Sequence, residues 1–192
     1  MIKDKITPEL KQKFKEAIEM TYKDRSEYGF VICKDENENL QPGPLCKGDK
    51  CSVIPIEKCS YKKQGMFHTH PFSSLMKPIP REVASLCVKG ITRLFCISAT
   101  TPSHQDLALA LTDKCSRHSE GTICIGSDVQ MNKISCWTPN ITVPIKGAYE
   151  KGSPCFRALG DIAEVMGPPR SWIEPLFDVE NIDISDKKNK LY

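Results

Sequence analysis

The sequence predicts one α/β domain of the α+β kind: a single mixed β-sheet sandwiched by helices. Three observations predict it. Residues 8–23 and the run after Ser103 repeat apolar residues at helical spacing. Short β-rich runs at 27–33, 65–70, 122–126 and 133–137 lie between and after them. A length of 192 residues suits one full core, whereas two domains would be cramped. Helices interspersed among strands, without strict alternation, favour one sheet with helices on its faces.

The first helix has a start signal as well as a period. Thr7 can cap it, Pro8 fits the first turn, and Leu10, Phe14, Ala17, Ile18 and Tyr22 form its apolar face. The strand at 27–33 ends at the turn-forming Lys34-Asp35-Glu36-Asn37. Two prolines and two glycines make 41–49 a loop, and 51–56 is a short strand candidate. Further on, 72–80 reads as loop, 81–89 as a short helix and 91–98 as a strand.

Ser103 is a good N-cap, with Asp106 three residues on and Leu107, Ala108, Leu109, Ala110 and Leu111 following. This is a capping box with Asp in place of Glu or Gln, and the helix should end before Gly121. Residues 122–126 and 133–137 alternate around a polar turn as a hairpin, and 141–145 can add a strand. Residues 154–166 read as a last helix, closed by Gly167-Pro168-Pro169. The domain is expected to span 1–177, with 178–192 a charged, flexible tail.

Composition narrows the function classes. A net charge of +3 is too small to argue for nucleic-acid or membrane partners by bulk electrostatics. No apolar run reaches the roughly 18 residues of a membrane span. The polar start Met1-Ile2-Lys3-Asp4-Lys5 is not a signal peptide, so the cytoplasm is the expected compartment.

Ten cysteines are many for such a chain, and no two form a Cys-x-x-Cys. Cys33, Cys96, Cys124 and Cys136 sit in apolar runs, where cysteine acts as a small buried hydrophobe. Cys46, Cys51 and Cys59 lie in a loop-like region and can form a second metal site or a disulfide.

The chemistry centres on Gly65-Met66-Phe67-His68-Thr69-His70-Pro71. On a strand, residues i and i+2 share a face, so His68 and His70 can converge on one metal ion while Thr69 points away. A catalytic zinc takes three protein ligands and keeps a fourth position open. Asp106, in the first turn of a helix whose dipole favours a carboxylate, fits as the third. Glu27 is the candidate general base, and Ser103 a donor to an oxyanion. Taken singly, Ser103 and Asp106 would be plain helix capping and Glu27 an exposed acid. Joint occurrence in order lifts them above that.

These residues resemble the JAMM (MPN-plus) zinc metalloprotease family, whose signature reads Glu … His-(Ser/Thr)-His-Pro … Pro-Ser-x-x-Asp. Here the matching residues are Glu27, His68-Thr69-His70-Pro71 and Pro102-Ser103-x-x-Asp106, and the resemblance covers about 26–137. It implies the family's cytidine-deaminase-like fold, with zinc on His68, His70 and Asp106. It also implies that Glu27 is the acid–base group for the attacking water and that Ser103 stabilises the tetrahedral intermediate. The implied substrate is a ubiquitin-like protein or its conjugates, cut at a peptide or isopeptide bond.

The family usually sets far fewer residues between the second histidine and the serine than the 32 found here. Either 72–101 carries an insertion, or the partner is the nearer Pro78-Ile79-Pro80-Arg81-Glu82. That stretch has Ile where Ser is needed and Glu82 where Asp is needed. The distant match is complete and opens an amphipathic helix, and loop closure entropy grows only slowly with length. Two rival readings stand beside the protease. One is a non-catalytic MPN-type scaffold, although such relatives typically lose the metal ligands. The other is a zinc hydrolase of a small amide. A deaminase is disfavoured, since its His-x-Glu … Pro-Cys-x-x-Cys pattern is missing.

Overall fold

The computed structural model describes residues 1–49, 53–71, 100–143, 155 and 174–185. Helix α1 spans Pro8–Asp24, and its start is as the sequence dictates: the Thr7 hydroxyl accepts the Leu10 N–H at 3.2 Å, with Pro8 in the first turn. Strands β1 (Tyr28–Lys34), β2 (Leu40–Pro42), β3 (Cys46–Lys47) and β4 (Lys62–His70) follow. Helix α2 (His104–Cys115) precedes β5 (Thr122–Ser127), β6 (Lys133–Pro139) and β7 (Phe177–Asp183). Among the described residues the protein is therefore α+β, with a mixed seven-stranded sheet and two α-helices.

The strand order is β2-β1-β4-β5-β6-β7, with β3 also paired to β1. Among the described strands only the β4–β5 pair is parallel. A parallel pair needs a crossover connection, and α2 lies in that connection.

Strand alternation assigns the two faces. Phe67 and Cys124 point toward α1, where Leu10, Phe14, Ala17 and Ile18 recur at helical spacing and pack with Phe30 and Leu40. Phe14, Phe30 and Phe67 form an aromatic trio with ring centroids 4.8–5.5 Å apart. Truncating Phe14 to Ala would cost about 3–5 kcal/mol. The neighbouring positions Met66, Ile123 and Ile125 face the other way and pack with Leu107 and Leu111 of α2. His68 and His70 share this second face with Met66. Sheet geometry thus directs both imidazoles to the side where α2 begins.

Several expectations are corrected. Residues 178–183 are no loose tail: β7 pairs with β6 from Phe177 to Asp183, and Ile182 and Ile184 are buried in the α1-side core. The apolar alternation was masked by intervening acids. Cys33, Cys124 and Cys136 are buried, but as disulfides rather than free hydrophobes, in the pairs Cys33–Cys59 and Cys124–Cys136. A third bridge joins Cys115 to Cys155. Cys59 is therefore no metal ligand, whereas Cys46 is a free thiol. Residues 53–59 form no strand. The helix at 81–89, the strand at 91–98, most of the 154–166 helix, and Cys51, Glu82 and Cys96 lie outside the described residues.

Candidate metal centre

Three ligand atoms from two elements meet at one end of the sheet. His68 Nε2 lies 3.1 Å from His70 Nε2 and 3.6 Å from Asp106 Oδ1. One ligand atom from each of His68, His70 and Asp106 falls within 4.8 Å of the others, so the group can hold a metal ion. Ligands at zinc distance in a tetrahedron stand about 3.3 Å apart, and the two separations made by His68 fit that spacing. A set of two imidazoles and one carboxylate also suits zinc chemically.

The ionisation of His68 is consistent with this role. Burial pushes its pKa below the ordinary imidazole range, against the opposing pull of Asp106. The ring is thus kept neutral, the form that ligates a metal.

Asp106 is aimed by the helix it opens. Its Oδ2 accepts the Ser103 N–H at 2.7 Å, and its own N–H donates to Ser103 Oγ at 3.2 Å. This reciprocal capping box satisfies two N-terminal donors and leaves Oδ1 turned toward His68. Ser103 is exposed, and a hydroxyl that accepts one bond still has its proton to donate.

On the reverse face of β4, Thr69 is fully buried and fixes the strand. Its hydroxyl accepts the Tyr28 N–H at 2.9 Å, lies 3.2 Å from Tyr28 O and bonds Thr21 Oγ1 of α1. The residue between the two histidines therefore sets their height relative to β1.

Glu27 enters from the adjoining strand. Gly29 pairs with His68, and continuing that antiparallel register places Glu27 opposite His70, on the same face. Only 8% of Glu27 is exposed. Burial, with the charges of Asp106 and then Asp49, raises its pKa to about 7. Gly29 is required between Glu27 and the core: a Cβ there would lie 2.8 Å from Phe67 O and 2.8 Å from Val53 Cγ1. The absent side chain makes room for Val53 against β1.

Glu27, His68, His70 and Asp106 are thus brought to one end of the sheet, with Ser103 capping the helix that supplies Asp106. Asp49 was missed by sequence reading. Its carbonyl accepts the Glu27 N–H at 2.6 Å, extending the β1–β3 pairing, and nothing in a loop of prolines and glycines marks it. No family model, curated protein or solved structure matches the chain significantly. No helix among the described residues is long and apolar enough to cross a membrane.

Proposed function

We propose that this protein is a zinc-dependent hydrolase of the JAMM type, cutting a peptide or isopeptide bond at the C-terminus of a ubiquitin-like protein. The observation that carries the proposal is the meeting of His68, His70 and Asp106 beside a buried carboxylate poised near neutrality. Zinc, when bound, supplies Lewis-acid polarisation and makes water acidic enough to be deprotonated near neutral pH. His68, His70 and Asp106 would hold it.

The chain's own groups do the rest. Glu27 takes a proton from the attacking water, and a base whose pKa lies near the working pH is the efficient choice. It then returns that proton to the departing amine nitrogen. The Ser103 hydroxyl donates a hydrogen bond to the oxygen that gains negative charge as the carbonyl becomes tetrahedral. The substrate follows from the signature resemblance alone.

For the compartment, the three disulfides among the described residues favour an oxidising one over the cytoplasm that the sequence suggested.

The test is elemental analysis of the purified protein beside His70→Ala, Asp106→Ala and Glu82→Ala. Loss of one zinc in the first two, with Glu82→Ala unchanged, supports the centre and justifies assays on ubiquitin-like conjugates. Loss in Glu82→Ala with Asp106→Ala unaffected would move the third ligand to Glu82. No zinc in the unmutated protein, even after adding the metal, would leave the scaffold reading.

A further inference from the structure

We propose that Arg25 and Asp128 form a positioning pair that fixes Glu27 against the His68–His70–Asp106 group, an inference that rests on the metallohydrolase reading above. Arg25 ends α1 in the left-handed region (φ 62°), its N–H donating to Thr21 O at 2.9 Å. It stands two residues ahead of Glu27. A left-handed arginine is uncommon, since L side chains crowd the backbone there. Here the turn directs the guanidinium to two groups. Its Nη1 lies 3.2 Å from Asp128 Oδ2, and its Cζ sits 4.8 Å from the Tyr22 ring centroid.

Asp128 is the unusual partner. Its side chain is 0% exposed, a costly place for a carboxylate unless it is paired. It directly follows Ser127, the last residue of β5, which stands level with His70 in the parallel register. In the strand order β4 lies between β1 and β5. The ion pair therefore spans the end of β4, joining the turn that carries Glu27 to the far neighbour of the histidine strand.

The other side of the same turn is held independently. Asp24 accepts the Tyr28 hydroxyl and Lys47 Nζ, each at 2.6 Å, and the Ser26 N–H at 3.1 Å. That network ties the turn to β1 and β3. Arg25–Asp128 adds a bond to β5, so the short link between α1 and β1 is gripped from both directions. Such a grip matters for a proton carrier, because a shift of about 1 Å at a reacting group can cost on the order of a hundredfold in rate. Asp128 and Arg25 touch no reacting atom in this scheme and act through Glu27.

The test uses the full chain loaded with Co²⁺ as the probe and ¹³C-labelled at glutamate, with zinc-loaded protein as the diamagnetic reference. The pseudocontact shift of the Glu27 carboxyl carbon falls with the cube of its distance from the metal, so it reads position without a substrate. Asp128→Asn and Arg25→Gln are expected to keep one Co²⁺ per chain and unchanged shifts on β4 amides, while the Glu27 shift drops to less than half. Arg25→Lys, which keeps the charge, should restore most of it. Loss of fold alone would instead move β4 and α2 signals together. If Asp128→Asn fails to fold, Arg25→Gln at the part-exposed end decides the matter. Co²⁺ uptake with an unmoved Glu27 signal in the variants overturns the positioning pair alone. No uptake by the unmutated protein overturns the metallohydrolase reading, and this inference with it.

Discussion

Glu27 and Glu120 sit at opposite ends of the same sheet, Glu27 where β1 begins beside His70 and Glu120 just ahead of β5, near Lys62 at the start of β4. Their side chains are chemically identical. Glu120 accepts Lys114 Nζ at 2.5 Å and Lys62 Nζ at 2.7 Å, and these bonds lower its pKa to about 2. Glu27 is buried beside two further acids, Asp106 and Asp49, and its pKa rises to about 7. One environment locks the charge on, as a structural ion pair requires. The other leaves the carboxyl at the edge of ionisation, where it can take a proton and give it back.

Activity should separate the two most sharply. On a ubiquitin-like protein joined through its C-terminus to a fluorogenic amine, Glu27→Gln should lower turnover by about 10²–10⁴-fold while keeping zinc. Glu120→Gln should leave turnover unchanged. Equal losses in both would break the comparison. Activity of the unmutated protein should rise with pH, with a midpoint at or below 7, since a bound cation offsets part of the rise that burial and the neighbouring acids give the Glu27 pKa.

Stability should separate them next, and in opposite directions. In metal-free protein the folded pKa of Glu27 lies above its unfolded value of 4.5, so its contribution is present below pH 4.5 and lost as pH rises through about 7. Glu27→Gln should therefore gain stability over the unmutated protein across that window, by up to about 3 kcal/mol above it. Thermal melts from pH 4 to 8 in chelator measure this. A constant difference across the range would mean that Glu27 ionises normally.

The smallest effect belongs to Glu120. Its folded pKa is depressed, so its contribution is present above pH 4.5 and lost as pH falls through about 2. Because the pair is partly solvated, Glu120→Gln should cost only about 1 kcal/mol at pH 7. That cost should vanish in acid melts. If it persisted at pH 2, packing rather than charge would be its source.

Much of this was legible in the sequence, and the parts that were not share a cause. Thr7-Pro8 and Ser103-x-x-Asp106 are local signals, written in the residues that make the contacts, and both helices start where they indicate. The His-x-His face follows from strand period alone. Cys124–Cys136 was not legible, because a buried cysteine and a bonded one look alike until register sets them directly opposite each other. Strand β7 was hidden for a similar reason, since acids at 178, 180 and 183 obscure Phe177 and Ile182 until pairing with β6 reveals which face is buried. Arg25 and Asp128 lie 103 residues apart, and only the order β1-β4-β5 brings them together.

The capping box has a consequence for how such a site can diversify. Asp106 takes its aim from Ser103 and from a helix seated on Ile123, Ile125 and Trp137, whereas His68 and His70 take theirs from the pairing of β4 with β1 and β5. The two halves of the ligand set are indexed to the sheet separately. Descent can therefore change the number of residues between His70 and Ser103 while these separate anchors keep the three candidate ligands in register with the sheet.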